Sequence, residues 1–153
     1  MTEHNQEYAG FWIRVGASLI DTVLILIITV PILGAIYGES YLFGDSFIRG
    51  FWDIVFGYIL PAVAIIAFWV YKSATPGKMA TKLTIVDSRT GGVPTTSQYV
   101  IRYIGYYLAA LPLFLGLIWV GIDKRKQGWH DKLANTVVLR NLHQEPVNFE
   151  GLK

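Results

Sequence analysis

The chain has 153 residues, of which 53% are hydrophobic and only 16% are charged, and it contains no cysteine. Soluble domains carry about 25% charged residues, so this composition indicates an integral membrane protein. The formal net charge of +2 gives no reason to expect a nucleic-acid partner, and without cysteine the chain has neither disulfides nor thiolate metal ligands.

Three apolar segments predict an all-α integral membrane fold with the lipid bilayer as its surroundings. They cover about residues 11–37, 51–71 and 100–123. Each is long enough, at about 20 residues or more, to cross the hydrocarbon core as a helix. Trp52 and Trp69 lie near the two ends of the second segment, as interfacial aromatic residues do. Pro61 predicts a kink within it, and Pro112 breaks the third segment.

The remaining residues form a loop at 72–99 and a tail at 124–153, within a single membrane domain over 1–153. The stretch "KLTIVD" alternates apolar and polar residues, as a strand does. The stretch "NTVVLR" contains Val and Thr, which favour the pleated form, so the sequence predicts two short strands. We expect these strands to pair with each other. The tail from His143 onward is expected to be frayed.

The distribution of positive charge predicts the orientation of the chain. The loop at 37–50 has Arg49 against Glu39 and Asp45, whereas residues 72–102 carry five positive charges against Asp87. Positive residues favour the cytoplasmic side. We therefore predict a multi-pass protein of the cell (inner) membrane with its N-terminus and the loop at 72–99 in the cytoplasm.

The third segment has two possible courses. The tail also carries several lysines and arginines, yet three simple spans would place it outside. Either the segment dips into the membrane and returns as a re-entrant hairpin that turns near Pro112, or it spans fully against the charge rule. Pairing of the two predicted strands requires them on one side, which favours the hairpin.

The first segment places Arg14 and Asp21 seven residues apart, so both lie on one helical face. A carboxylate at mid-bilayer costs about 2.5–3.5 kcal/mol, which predicts that Asp21 is buried in protein at that depth. It could be protonated, could bind a cation, or could be structural. In the structural alternative it pairs with Arg14 or Arg102 or accepts a hydrogen bond from Tyr106.

Other charged residues give weaker signals. Asp123 ends the third segment beside "KRK" and is typical of an interface anchor, while "WHD" contains His130 and Asp131. No cluster of residues has the spacing of a metal site, and no cofactor motif is present. "ATPGKMATK" fails as a phosphate-binding loop, because the Gly before and the Ser or Thr after its Gly-Lys are missing. We expect no enzyme activity.

Four stretches in order resemble the RDD family of small membrane proteins, named for an arginine and two aspartates. They are "AGFWIRVGASLIDTVL", "TPGKMATKLTIVDSRTGG", "IRYI" and "DKRKQGWHDKLANTVVLR". The resemblance places Arg14 and Asp21 in the opening motif and Arg102 in the third. It makes Asp131, or alternatively Asp123, the second aspartate of the family name, and the closing motif favours Asp131.

The resemblance implies little chemistry, although some members have been proposed to be cation/proton antiporters. A buried carboxylate beside an arginine can exchange a proton for a cation. We therefore expect a homo-oligomeric transporter, such as a monovalent cation/proton antiporter, with Arg14, Asp21, Arg102, Asp123 and Asp131 as its charge network. The alternative is a membrane scaffold or assembly module in which these charges only hold helices together.

Overall fold

The computed structural model describes residues 6–142, and the expected frayed tail from His143 onward lies outside this range. Two helices are long and apolar enough to cross a membrane: α1 at Phe11–Tyr37 and the second long helix at Phe51–Lys72. The apolar segments at about 11–37 and 51–71 predict both of these helices. Between them lies the short helix α2 at Glu39–Phe43, and we call the second long helix α3.

Helix α3 contains one widened turn where the sequence predicts a kink. Its residues Val55–Ile59 form a π-helical turn directly before Pro61. Proline lacks a backbone N–H, and its ring collides with the carbonyl four residues earlier in a regular α-helix. The wider turn offers a way to avoid that collision, and the helix then continues to Lys72.

A small antiparallel sheet lies outside the long helices. It has the order β1-β3-β2, with β1 at Gln6–Tyr8, β2 at Leu83–Asp87 and β3 at Thr136–Asn141. The predicted pairing of the two later strands is present, with Ile85 opposite Val138. A third strand at Gln6–Tyr8, which the sequence does not predict, pairs along the other edge of β3. That strand consists of three exposed residues and has too few apolar positions to be recognised by alternation.

Two short helices in polar regions were also not predicted. Helix α4 at Pro76–Ala80 lies in the loop before β2, and a helix at Trp129–Leu133 lies in the tail before β3. Each has only five residues, which is too short to show a helical period in the sequence. Both hold residues of the candidate site.

The third apolar segment is broken and turns back. Helix α5 at Thr96–Ala110 is followed by α6 at Leu115–Ile118, which continues as a 3₁₀ turn at Trp119–Gly121. The two limbs meet at 115°. Leu113 and Phe114 have positive φ angles of 52° and 62°, which makes the reversal tight next to Pro112. The helix at Trp129–Leu133, called α7, follows.

The sheet shows that both ends of this segment lie on one side of the molecule. Strand β2 precedes α5 and strand β3 follows α7, and the two strands are hydrogen-bonded neighbours. The chain therefore returns to the side from which it left. The predicted break near Pro112 is therefore present, and both ends of the segment meet at the sheet, as the hairpin alternative requires.

The packed body of the protein lies at the sheet end. Trp69, Tyr99, Ile85 and Val138 form its core, with Ala17 from α1. Beyond this body the long helices are mostly exposed: only 11% and 6% of the apolar windows of α1 and α3 are buried. Buried polar and charged residues lie in this packed body or at its border with the long helices, among them Arg14, Lys78, Arg102 and Asp131.

Candidate functional site

A buried cluster of three charges joins distant parts of the chain. The Oδ2 atom of Asp131 accepts a hydrogen bond from Arg14 Nη1 at 2.6 Å, and its Oδ1 atom accepts one from Arg102 Nη1. Asp131 and Arg102 have no exposed surface, and Arg14 is 8% exposed. We call these three residues the paired cluster. It connects α1, α5 and α7.

Backbone and polar contacts hold the paired cluster in place. Arg14 also donates from Nε to Ala9 O at 2.9 Å and from Nη2 to Lys126 O at 2.5 Å. Arg102 Nη1 donates to Thr136 Oγ1 at 2.7 Å, which connects the cluster to the first residue of β3. Most of the donors are therefore satisfied by groups that the fold fixes, as buried charges require.

Helix α7 approaches α5 closely because α5 has a glycine at the contact. A Cβ atom on Gly105 would lie 2.9 Å from the Cα atom of His130. The close approach brings Asp131 within reach of Arg102 and stacks the His130 ring on Tyr106, with 3.9 Å between ring centroids. Gly105 is thus a requirement of the cluster.

The environment lowers the pKa of both His130 and Asp131. Burial alone would raise the pKa of Asp131, but the neighbouring Arg102 and Arg14 guanidinium groups hold it well below its ordinary value. Burial lowers the pKa of His130 to about 3, and it outweighs the attraction of the Asp131 carboxylate. His130 is therefore a neutral imidazole at neutral pH, and Asp131 is ionised.

Asp21 lies in a different place from the paired cluster. Its Oδ2 atom accepts a hydrogen bond from Thr75 Oγ1 at 2.5 Å, and its Oδ1 atom accepts one from Gly77 N at 2.7 Å. The structural alternative in which Asp21 pairs with Arg14 or Arg102 is wrong, because both arginines bind Asp131. Within residues 6–142 Asp21 has no ion-pair partner.

The expected depth of Asp21 is also corrected. Its partners Thr75 and Gly77 follow directly after the end of α3 at Lys72. The carboxylate is therefore level with the end of α3 and not with its middle. The physical reason is that the first two turns of α1 are embedded in the packed body through Arg14 and Ala17, and Asp21 follows one turn later.

Gly77 allows the loop to touch α1. A Cβ atom at this position would lie 2.1 Å from Ala17 O and 2.9 Å from the Cγ atom of Asp21. No other residue type fits at that distance. The glycine and the aspartate thus form one contact between α1 and α4.

Asp21 lines a cavity of about 240 Å³ together with Lys78. Lys78 is only 5% exposed, and its Nζ atom lies 6.0 Å from the centroid of the Trp69 ring. Over the described residues 6–142, Lys78 takes part in no ion pair. The hydroxyl-bearing residues Ser18 and Thr22 of α1 border the same space. We call this space the Asp21 cavity.

Asp123 belongs to neither site. Its Oδ1 atom lies 2.6 Å from Lys132 Nζ, and its Oδ2 atom accepts hydrogen bonds from the backbone N–H groups of Arg125 and Gln127. The Lys132 hydrogen bond lowers the pKa of Asp123. The residue shapes the turn between α6 and α7. Of the five residues predicted to form one network, the structure brings together Arg14, Arg102 and Asp131, while Asp21 and Asp123 stand apart.

Sequence reasoning missed the residues that surround Asp21. Thr75, Gly77 and Lys78 belong to the quoted motif "TPGKMATKLTIVDSRTGG", but nothing in that stretch indicates that it contacts Asp21, which lies 54 positions before Thr75. In the described part of the chain, no group of three or more His, Asp or Glu side chains is placed to hold a metal ion. The candidate site is therefore one of single charges and hydroxyl groups.

Comparison with known proteins places these motifs in a family. The family model described as RDD family matches residues 8–135. The chain is 34% identical over 76 residues to the uncharacterized protein RP437 of Rickettsia prowazekii, an alignment that covers 50% of this chain and 42% of that protein. It is 24% identical to the uncharacterized protein YxaI of Bacillus subtilis over 86% of this chain and 96% of the relative.

A second Bacillus subtilis protein, the uncharacterized protein YckC, is 26% identical over 85% of this chain and 83% of its own length. No solved structure matches the chain. The family model spans all three apolar segments, the paired cluster and the Asp21 cavity. The resemblance inferred from the four motifs is confirmed: the chain belongs to the RDD family.

Proposed function

We propose that the chain is a small multi-pass transporter that exchanges a monovalent cation for protons, works as a homo-oligomer, and uses Asp21 as the exchanging carboxylate. One observation carries the proposal. Asp21 and Lys78 line the same cavity, and neither is neutralised by an ion pair among the residues that the structure describes.

The chemistry of the Asp21 cavity suits a small cation. Each carboxylate oxygen accepts one hydrogen bond from the protein, and an ionised carboxylate has further acceptor positions on both oxygens. The Ser18 and Thr22 side chains border the cavity and would add oxygen ligands, which hard cations prefer. A proton that binds the carboxylate removes its charge and releases the cation, so the two ions compete for one group.

Lys78 supplies the opposing charge. Its ammonium group is the positive charge among the residues that line the cavity with Asp21. A bound cation is repelled by it, which keeps binding weak enough for release. The pair thus gives a carboxylate that is available to ions, in contrast to Asp131, whose two oxygens are both bound to arginines.

The membrane arrangement of the proposal follows from charge and strand pairing. The lysines and arginines after α3 favour the cytoplasm, and the sheet places residues 6–8, 83–87 and 136–141 together. The N-terminal strand, the loop and β3 would then all be cytoplasmic in the inner membrane, α1 and α3 would span, and the bent segment would be re-entrant. Asp21 would lie at the cytoplasmic mouth of the pathway.

A homo-oligomer is part of the proposal because two long helices do not enclose a route across a bilayer. Only 11% and 6% of the residues in their apolar windows are buried within the chain. Copies of the chain would provide the remaining walls between the cytoplasmic mouth and the other side.

A second candidate function is a non-transporting assembly module. The paired cluster favours it, because Asp131 and its two arginines are buried and hold three helices together. In this reading the hydrogen bonds of Asp21 to Thr75 and Gly77 only attach α4 to α1, and no ion moves.

Flux measurements on purified protein in liposomes separate the two functions. Liposomes with wild-type protein and an internal pH dye are given Na⁺, K⁺ or Li⁺ outside. We expect a cation-dependent change of internal pH that is lost in Asp21→Asn. The amide keeps the size and a hydrogen-bond acceptor, so the expected loss of stability is about 1 kcal/mol.

Asp45→Asn is the matched control, because Asp45 is an exposed aspartate in the loop between α2 and α3, away from the Asp21 cavity. We expect wild-type flux from it. Wild-type liposomes without flux for any of the three cations would favour the assembly module. Full flux in a folded Asp21→Asn variant would remove Asp21 from the mechanism.

A further inference from the structure

A second and larger cavity adjoins the paired cluster, and neither candidate function uses it. It has a volume of about 430 Å³ and lies between the first three turns of α1 and the returning limb α6. This is within the range of about 300–1,000 Å³ found for ligand pockets. Its apolar wall includes Val15 and Leu19 from α1 and Phe114, Leu117 and Ile118 from the returning limb. We call it the acyl cavity.

One end of the acyl cavity is polar. Arg14 and His130 both border the cavity, and both lie beside the Oδ2 atom of Asp131, at 2.6 Å and 3.4 Å. Within residues 6–142 the guanidinium group of Arg14 uses three of its N–H groups, and it has five in total, so two are available to a ligand. The cavity thus has an apolar body and a polar end that offers donors.

The polar end carries uncompensated positive charge. The paired cluster has two guanidinium groups and one carboxylate, all of them buried. Removing an unbalanced charge from water is costly, and a nearby opposite charge offsets that cost. Because Asp131 balances only one arginine, an anionic group in the cavity would complete the cluster.

His130 provides an independent sign of a missing partner. It is 3% exposed, and its Nε2 atom lies 3.4 Å from Asp131 Oδ2, but neither ring nitrogen forms a hydrogen bond within residues 6–142. Burial keeps the ring neutral, since it lowers the pKa of His130 to about 3. A neutral imidazole has one N–H to donate, and buried polar groups without partners are rare in folded proteins.

We propose that the acyl cavity binds an acyl chain that carries an anionic head, with the chain along α1 and α6 and the carboxylate or phosphate at Arg14 and His130. The bilayer supplies such molecules as anionic phospholipids and as free fatty acids. Exposed apolar residues at the tip of the bent segment, such as Leu113 at 85% and Leu111 at 78%, would lie among lipid chains and place the cavity next to them. The proposal is independent of ion transport through the Asp21 cavity.

Native mass spectrometry of the purified protein in detergent tests the proposal. Phosphatidylglycerol, phosphatidylcholine with the same chains, and oleic acid are titrated separately. We expect phosphatidylglycerol or oleic acid to bind at least about tenfold more tightly than phosphatidylcholine. Preference for phosphatidylglycerol assigns the site to phospholipid, and preference for oleic acid assigns it to fatty acid.

Two matched variants locate the binding. Val15→Trp fills the acyl cavity, whereas Ile25→Trp places the same indole on the same helix but in the Asp21 cavity. We expect Val15→Trp to lose the tight binding and Ile25→Trp to keep it. His130→Phe retains a ring against Tyr106 but removes the donor, so it should narrow the difference between phosphatidylglycerol and phosphatidylcholine.

Equal binding of all three lipids would overturn the proposal, because the positive charge at Arg14 would then not distinguish an anionic head group from a zwitterionic one. Tight anionic binding that survives in folded Val15→Trp would also overturn it, since the ligand would occupy another surface. A circular dichroism spectrum of each variant shows that it is folded. Ion flux is measured in parallel, so that a loss of lipid binding with normal flux is distinguished from failure of the transport proposal.

Discussion

The paired cluster and the Asp21 cavity each contain a carboxylate held by α1, but they treat its charge in opposite ways. Asp131 is fully buried and each of its oxygens is bound by an arginine. Asp21 is partly exposed, accepts two uncharged hydrogen bonds and shares a cavity with Lys78. Asp131 is thus held by two ion pairs, whereas Asp21 is held by uncharged groups and faces a cavity.

This difference shows that the polarity of the surrounding sequence does not decide how deeply a carboxylate is buried. Asp131 lies in a polar part of the sequence, yet it is the more deeply buried. Asp21 lies in the most apolar stretch, yet it faces a cavity at the level where α3 ends. The partners that the fold brings to each carboxylate decide its role.

The largest expected effect comes from Asp131→Asn. The substitution leaves Arg14 and Arg102 buried without their counter-charge, which typically costs about 3–5 kcal/mol of unfolding free energy. Unfolding of the purified protein in detergent micelles, followed by circular dichroism, measures it. Arg140→Gln is the control, since it removes only an exposed contact to Glu7 at 3.5 Å. A loss below about 1 kcal/mol in Asp131→Asn would show that the cluster is not structural.

Lowering the pH should destabilise the folded protein through His130, which lies beside the paired cluster. His130 has a pKa lowered from 6.5 to about 3, chiefly by burial and further by Arg102, Arg14 and Lys78, against the attraction of Asp131. Between those pH values the unfolded chain binds a proton that the folded chain does not, so stability falls as the pH falls. Between pH 6.5 and 4 the melting temperature of His130→Phe should therefore change less than that of the wild type.

Asp131 adds a separate loss at lower pH. Its pKa is depressed in the folded protein, so its contribution is present above the ordinary value of 3.8 and disappears as the pH falls through the folded value. His130→Phe should therefore still unfold in strong acid. A wild-type melting temperature that is constant from pH 6.5 to 4 would contradict the assignment of a neutral, buried His130.

Gly77→Ala tests the contact that positions Asp21. The added methyl would lie 2.1 Å from Ala17 O, and overpacking of this kind costs about 1–3 kcal/mol. Gly16→Ala on α1 is the matched control, because nothing lies within 4 Å of the added methyl there. An alanine in a helix interior is favoured over glycine by up to about 1 kcal/mol, so the two variants should shift the melting temperature in opposite directions.

The smallest expected effect is that of Lys132→Gln. Its ion pair with Asp123 involves a lysine side chain that is 44% exposed, and such pairs contribute about 0–1 kcal/mol. Asp123→Ala should cost more, because the backbone N–H groups of Arg125 and Gln127 lose their acceptor. A larger loss from Lys132→Gln than from Asp123→Ala would reverse the roles given to this pair.

The long helices, the break at Pro112 and the β2–β3 pairing could be predicted because they depend on local composition and period. The paired cluster could not be assembled, since Arg14 and Asp131 lie 117 positions apart and no alternation links them. The depth of Asp21 depends on how far α1 is embedded in the sheet body, which no helical pattern encodes. The burial of Lys78 could not be predicted either, because Lys78 is adjacent to Gly77, whose close contact with α1 is tertiary.

Proton release from purified protein on addition of a monovalent cation tests most directly that Asp21 is the accessible carboxylate. The wild-type protein in weakly buffered detergent solution receives NaCl, KCl or, as a control, choline chloride, at a series of pH values. We predict that Na⁺ or K⁺ releases protons from the wild type and from Asp45→Asn, but not from Asp21→Asn. Equal proton release from folded Asp21→Asn, or none from the wild type with either cation, would contradict the account.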